Sequence, residues 1–244
     1  MVKDILVCVN NSSTCENTIR AAANFSAIHN ARLTGLYIKT DDLYHIMGSG
    51  IVSAELIQQI MAEQNQWEAE AKNNFNHIVS SIGCESLWHS VEESENPIKA
   101  MFYTDIIFIG QPEASNNKRF NNTGFINNLL LKTGRPIIMI PGNCSDKTLG
   151  KHIMVGWTES REATRAIHDA IHLLHKADKV NIVSINQNQD DTQLINGIEI
   201  SAYLARKDIN CQFYTENDSN IIPNEGEVLL SHAQNNHIDM IVIG

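Results

Sequence analysis

The chain has 244 residues, which suits two domains better than one, and 43% of them are hydrophobic, enough to give each half a core of ordinary size. Lysines and arginines number 18 against 28 aspartates and glutamates, a formal net charge of -10. An acidic surface repels the phosphates of nucleic acids and anionic lipids, so neither is expected as a partner.

The first segment, MVKDILVCVNN, lacks the long apolar stretch of a signal peptide, and no apolar run approaches the ~18 residues of a membrane span. The sequence therefore predicts no contact with a membrane. Its five cysteines are scattered with no C-x-x-C pair, which argues against a disulfide framework or a zinc site. These features favour a cytoplasmic protein.

The first half of the chain predicts strands that alternate with helices. The apolar runs are continuous, which is typical of strands buried on both faces of a parallel sheet. The predicted strands lie near residues 3–9, 33–38, 86–91, 104–109 and 136–140. The predicted helices lie near residues 14–29, 53–81, 95–102 and 124–133.

The longest predicted helix has apolar residues at helical spacing along its whole length, with Ser53 as its N-cap. These apolar residues are Leu56, Ile60, Met61, Trp67, Ala71, Phe75, Ile78 and Ile82.

Two segments of the first half recur in the second half in the same order. KDILVCVNNSSTCENTIRAAANF, from Lys3, is matched by KHIMVGWTESREATRAIHDAIHLL, from Lys151. TDIIFIG at residues 104–110 is matched by IDMIVIG at residues 238–244. Two matches in one order indicate an internal repeat of a strand-helix unit.

The second half predicts its own alternating elements. Strands are expected near residues 152–157, 179–185, 210–215 and 238–243, and helices near 160–176, 192–207 and 224–236. Strand-helix-strand order with right-handed crossovers predicts two doubly wound open parallel sheets, an α/β fold. The predicted domains are residues 1–141 and 151–244, joined by a linker at 142–150, GNCSDKTLG. By the logic of the repeat the second domain lacks its last helix and strand, so we expect the natural protein to be longer.

The paired strand-loop-helix segments, the strands DIIFIG and DMIVIG, and TGRPIIMIP from Thr133 together resemble the universal stress protein family, in particular its tandem members. The resemblance implies five parallel strands with helices on both faces. It also implies a homodimer, or a pseudo-dimer formed within one chain. Some members of that family bind ATP and others do not.

The resemblance implies a phosphate-binding pattern after the fourth strand in the ATP-binding members. It reads Gly-x-x-Gly, then nine residues, then Gly followed by Ser or Thr. In the first half Gly110 matches the opening glycine, but the second glycine is missing. Glu113 would place a negative charge beside phosphate, and Pro112 removes a backbone donor. Asn10 stands where the family has an acid that holds ribose. The resemblance therefore implies that the first half does not bind ATP.

In the second half the resemblance identifies four candidate residues for binding an adenine nucleotide. Gly244 matches the opening glycine of the phosphate loop, and Gly156 would allow a close approach of the ligand. Thr158 stands in place of the ribose-binding acid, and Ile185 would contact adenine. ATP is expected in this half if it is bound at all.

Several other side chains have both a functional and a structural interpretation; the structural one is preferred for the histidines and cysteines below, and both stay open for Trp157. His168, His172 and His175 share a helical face, which is a metal site or a solvated surface. Cys15, near a helix start, is a redox sensor or, like Cys8, a small packing residue. Trp157 stacks on a base or packs against protein.

Polar residues near helix and strand starts have the same two interpretations. Four sets are predicted to cap helices or loops and not to act as nucleophiles or acid-base groups. They are Ser12 with Ser13, Ser160, the acidic run Glu92, Glu93 and Glu95, and Asp105 with Asp239.

The sequence thus predicts a stress-response nucleotide-binding or signalling module without turnover of its own. One alternative is an ATP-hydrolysing or adenylate-transferring enzyme, with Lys118 and Arg119 as the basic residues near phosphate. Another is a dimeric interaction or chaperone-like protein that binds no ligand.

Overall fold

The structure is a computed structural model that describes residues 2–40, 53–112, 123–144, 149–186, 192–217 and 225–244. The chain divides into two compact units, Met1–Lys147 and Thr148–Gly244. Over the described residues, no helix combines the length and the hydrophobicity that crossing a bilayer requires.

The first unit is a five-stranded parallel sheet with helices between the strands. Its strands are β1 (Asp4–Val9), β2 (Arg32–Lys39), β3 (Ser86–Glu92), β4 (Ile106–Gly110) and β5 (Ile137–Ile140), in the order β3-β2-β1-β4-β5. Its helices are α1 (Cys15–His29), α2 (Ala54–Ile82) and α3 (Thr123–Lys132).

The centre of this sheet is fully buried, as the continuous apolar runs predict. Ile5 of β1 pairs with Leu33 of β2 and with Ile106 of β4, and none of the three is more than 1% exposed. The edge strand β3 differs, because Leu87 and His89 face solvent while their neighbours are partly buried. One face of an edge strand can remain open to solvent, so exposed and partly buried residues alternate along it. The central strands are buried on both faces and lack this alternation.

Helix α2 begins at the predicted cap, where Ser53 Oγ accepts a hydrogen bond from Leu56 N at 3.3 Å. Only its second half is buried, however. The buried residues are Ala71, Phe75, Ile78 and Val79, whereas Leu56, Met61 and Trp67 are more than two-fifths exposed. The apolar periodicity predicts the helix correctly but not how much of it packs against the sheet.

Polar contacts fix α2 at the carboxyl end of the sheet. Lys39 Nζ lies 2.9 Å from Glu68 Oε2, and Asn11 Nδ2 donates to the carbonyl of Trp67 at 2.9 Å. Burial acts to raise the pKa of the Glu68 carboxyl, but its hydrogen bonds and the charge of Lys39 outweigh burial and hold the pKa below its usual value. The helix is therefore tied to the ends of β1 and β2.

The prediction of a helix near residues 95–102 is wrong. The segment forms two short 3-10 helices, Glu93–Glu95 and Pro97–Met101, separated by Asn96 at a φ of 58°. A left-handed residue cannot continue a helix, and Pro97 begins the next one because it needs no N–H partner there. Glu92 and Glu95 form a capping box, in agreement with the structural interpretation of this acidic run.

The second unit is a four-stranded parallel sheet in the order β8-β7-β6-β9. Its strands are β6 (His152–Gly156), β7 (Lys179–Asn186), β8 (Gln212–Asn217) and β9 (Met240–Val242). Its helices are α4 (Arg161–Leu174), α5 (Thr192–Ala205) and α6 (Glu225–Asn235). Two open parallel sheets, the second with fewer strands, confirm the predicted fold class. The shared order of the first four strands is compatible with the internal repeat.

An aspartate before the fourth strand holds the start of the first strand in both units. Asp105 Oδ2 accepts hydrogen bonds from the backbone of Lys3 at 2.7 Å and Asp4 at 3.1 Å. The carboxylate of Asp239 accepts three such bonds, at 2.9, 3.0 and 3.1 Å, from Gly150, Lys151 and His152. Both aspartates are thus loop anchors, as their structural interpretation holds.

Candidate functional site

The carboxyl edge of the second sheet contains a topological switch point. From β6 the chain passes through α4 to β7 on one side, whereas β9 pairs with β6 on the other. In open α/β sheets such a divergence leaves a crevice outside the strand ends, which is where ligands bind. Gly156 ends β6 and Gly244 follows β9, so two of the predicted residues lie at this switch point.

The start of α4 lies at the same edge, with a capped first turn. Ser160 Oγ accepts a hydrogen bond from Ala163 N at 3.1 Å, in agreement with its predicted capping role. Thr158 Oγ1 lies 2.9 Å from Ser160 Oγ, and Thr158 itself is exposed. A helix start offers backbone N–H groups and a positive dipole end, both of which favour an anion.

Both glycines are also required by the packing of the unit itself. A Cβ on Gly156 would lie 3.1 Å from Ile243 Cγ2 and 3.5 Å from Leu229 Cδ1. A Cβ on Gly244 would overlap the backbone of Glu162 in the first turn of α4. Gly244 therefore lies directly against the helix start, and Ile243 covers one side of Gly156.

Ile185 lies at the carboxyl end of β7, half-buried and paired with Glu216 of β8. It shares the carboxyl edge with Gly156, but it is on the neighbouring strand. Trp157 continues the β6–β7 pairing, because its N–H donates to the carbonyl of Val183 at 2.8 Å. Its indole Nε1 is buried without a hydrogen-bond partner among the described residues.

In the first unit, the loop after β5 lies close to the start of α1. The carbonyl of Gly142, after β5, accepts a hydrogen bond from Asn17 Nδ2 at 2.7 Å. A Cβ on Gly142 would lie 2.7 Å from Thr14 Cγ2, so the loop lies close against the start of α1. Gly110 lies beside Thr18, while Glu113, Lys118 and Arg119 lie outside the described residues.

The predicted capping of α1 by Ser12 or Ser13 is wrong. The N-cap residue is Thr14, which makes no side-chain capping bond. Ser12 instead donates its backbone N–H to Asn10 Oδ1 at 2.9 Å, so the asparagine side chain closes a local turn before the helix. With that turn before it, the helix begins at Cys15, three residues after the first serine.

The predicted alternative sites gain no support from the structure. His168 is 72% exposed and His175 is also exposed, while His172 is partly buried. Among the described residues, no group of three or more His, Cys, Asp or Glu side chains could hold a metal ion. Burial raises the pKa of the Cys15 thiol to about 11 and that of Cys8 to about 12, which suppresses the reactive thiolate.

Sequence reasoning missed a cleft of about 510 Å³ between β8 and α6. It is lined by Tyr214, Glu216, Glu227, Val228, Ser231, His232, Asn235 and Asn236. His232 is a buried histidine whose Nδ1 lies 2.6 Å from Glu216 Oε1. No spacing in the sequence links these residues, although the polar Asn181 within the apolar run KVNIVSI could have pointed to the site.

Two solved structures are similar to this chain along nearly its whole length. One is a universal stress protein from Archaeoglobus fulgidus DSM 4304, with a TM-score of 0.71 at 14% identity, covering 97% of this chain and 85% of that chain. The other is a functionally unknown protein, PA1789, from Pseudomonas aeruginosa PAO1, with a TM-score of 0.57 at 13% identity, covering 98% and 80%.

No protein-family model and no curated protein sequence matches the chain. At such low identity the two structural matches establish a shared fold. The chain therefore has the fold of a universal stress protein structure.

Proposed function

We propose that the chain belongs to the universal stress protein family and acts as a stress-response signalling module that binds an adenine nucleotide, such as ATP, without turnover of its own. Its two domains would be residues 1–141 and 151–244, joined by residues 142–150. The observation that carries the proposal is the topological switch point of the second sheet, beside the capped start of α4. We place the protein in the cytoplasm.

The nucleotide would bind at this edge with its phosphates toward α4. Gly244 lies against the first turn of that helix, so the chain after β9 and the helix N–H groups would share the phosphates. The exposed hydroxyl of Thr158 would bond the ribose, Gly156 would bring the backbone close, and Ile185 would contact adenine.

The first domain is not proposed as a binding site. Gly142 and the loop after β5 occupy the space beside the first turn of α1, held by the bond from Asn17. That this half binds no ATP remains a proposal that rests on the departures of its sequence from the family pattern.

The absence of turnover is part of the proposal, and its argument concerns the hydroxyls of Thr158 and Ser160 beside the start of α4. Ser160 Oγ caps α4 and contacts Thr158 Oγ1, and neither hydroxyl has a histidine or carboxylate partner among the described residues. A nucleophile needs such a base to become reactive. We also propose a homodimer, or a pseudo-dimer within one chain, in keeping with the family resemblance.

Calorimetric titration of the full chain with Mg-ATP tests the proposal. We expect binding, and we expect Thr158→Val to weaken it about three- to tenfold, the effect of one hydrogen bond. Thr164→Val is the matched control, because that hydroxyl bonds the Ser160 carbonyl within α4. Absence of heat at millimolar ATP would remove the nucleotide-binding function, and phosphate release above background would contradict the lack of turnover.

A further inference from the structure

A buried chain of hydrogen bonds joins three elements of the second unit at the cleft described above. His232 of α6 is 3% exposed, with its Nδ1 2.6 Å from Glu216 Oε1 of β8. Its Nε2 lies 3.4 Å from Asn181 Nδ2 of β7, and Asn181 is fully buried. Asn181 Oδ1 has no hydrogen-bond partner among the described residues. The proposed nucleotide site does not use these groups.

The geometry fixes which ring nitrogen carries the proton when His232 is neutral. The ionised Glu216 carboxylate only accepts hydrogen bonds, so Nδ1 must carry the hydrogen at 2.6 Å. Nε2 is then an acceptor, and the Asn181 amide N–H donates to it. In this state Asn181 Oδ1 is the buried acceptor without a partner.

The same heavy-atom positions also accept the protonated ring. A protonated His232 donates from both nitrogens, and a half-turn of the Asn181 amide would present Oδ1 to Nε2. The oxygen that lacks a partner in the neutral state would then be the acceptor that the protonated state requires. The change needs an amide rotation and no rearrangement of the backbone.

We propose that Asn181, Glu216 and His232 form a proton-sensitive switch that sets the charge of the adjacent cleft. With His232 neutral, the carboxylates of Glu216 and Glu227 give the cleft a negative wall. With His232 protonated, the imidazolium compensates Glu216, which is 39% exposed toward solvent. The cleft then keeps only the charge of Glu227. The switch is independent of the proposed nucleotide site.

The groups that face His232 define how its charge is set. From β8 the facing groups are Glu216 and the ring of Tyr214, whose centroid lies 4.9 Å away edge-on. From β7 the facing group is the neutral Asn181, and on α6 itself Glu227 lines the same cleft. Among the described residues, the cleft lining contains no lysine or arginine that could compensate the carboxylates in place of the ring.

NMR titration of the full chain between about pH 8 and pH 5 tests the switch, since a histidine changes charge in that range. We expect the neutral ring to carry its proton on Nδ1 and to become doubly protonated on acidification. The NMR signals of the Asn181 side-chain amide should shift with the same midpoint pH as those of the His232 ring, because protonation removes Nε2 as the acceptor of the amide N–H.

Two variants separate the switch from general pH effects. His232→Gln should abolish the pH response of the Asn181 amide, whereas His168→Gln, at a ring 72% exposed, should leave it intact. A neutral ring protonated on Nε2, a ring that keeps one charge state over the whole range, protonation of Glu216 in place of the ring, or an Asn181 amide that ignores the titration would each overturn the proposal. These signals can be read in the unmodified chain if a variant fails to fold.

Discussion

Asp239 shows how one side chain determines where a strand begins. Its carboxylate accepts the N–H groups of Gly150, Lys151 and His152, three donors that precede or open β6. Asp105 does the same for β1 with two donors. The sequence predicted both aspartates as loop residues, because they precede an apolar run. It could not predict their partners, which lie 87 to 102 positions away.

Replacing Asp239 by Asn should destabilise the second unit by about 2 kcal/mol, because an amide NH₂ replaces an oxygen that faces backbone donors. Urea unfolding followed by the NMR amide signals of the second unit would measure the loss. Asp178→Asn is the control, since that carboxylate is 63% exposed and pairs with Lys151 at 3.5 Å, and it should change stability by less than about 0.5 kcal/mol. Equal losses of stability from the two substitutions would show that the hydrogen bonds of Asp239 do not stabilise the start of β6.

Burial of Cys15 predicts a thiol that is inert in the folded protein. With a pKa of about 11, only about one molecule in a thousand is thiolate at pH 8. Alkylation with iodoacetamide at pH 8, analysed by mass spectrometry, should therefore label Cys15 only after unfolding in urea. The partly buried Cys84 is the internal control and should react first. Native Cys15 reacting as fast as Cys84 would restore the redox-sensor interpretation.

Helix caps show what can be predicted from residue types at this scale. Ser53 and Ser160 cap α2 and α4 as predicted, because each directly precedes the first helical residue with an extended backbone. Ser12 does not, because it lies in a local turn closed by Asn10, and the N-cap position falls on Thr14. The pairing of His232 with Glu216 is beyond such reasoning, since it depends on how α6 lies on β8.

At the scale of elements, α2 contacts the sheet at a glycine. The ring of Phe75 lies over Gly35 of β2, where an added Cβ would be 2.9 Å from the ring. Trp88 of β3 completes the contact, with its ring centroid 5.6 Å from that of Phe75. Apolar spacing predicted that Phe75 is on the helix, but the reason for Gly35 appears only once the two elements are packed together.

This contact predicts a pair of compensating substitutions. Gly35→Ala should destabilise the first unit by about 1–3 kcal/mol, because the methyl group overlaps the Phe75 ring. Phe75→Leu removes that ring, so the double variant should be more stable than the sum of the two single losses predicts. Urea unfolding followed by tryptophan fluorescence gives all three values. Strict additivity would mean that Gly35 and Phe75 do not interact.

Other features of the elements depend on their neighbours and so escaped prediction. The first half of α2 has the same apolar periodicity as the second, yet its Leu56 and Met61 are exposed. β3 alternates because it lies at the edge of the sheet. A sequence pattern reports which face of an element is apolar, whereas burial also requires something to cover that face.

At the scale of the molecule, the sequence predicts the class of fold because its signals agree. Apolar runs, helical periodicity and the recurrence of DIIFIG as DMIVIG all indicate parallel strand-helix units. The structure has them in two units whose first four strands share one order. What the pattern cannot supply is the ligand, because a fold of this kind presents a crevice whatever it binds.

The location of nucleotide binding tests the account most directly. Backbone amide shifts of the full chain should be recorded by NMR with and without Mg-ATP. We expect changes at Gly156, Thr158, Ile185 and Gly244, and none at Gly110 in the first unit. Shifts centred on Gly110, or no shifts at all with millimolar Mg-ATP, would contradict binding at the switch point of the second sheet.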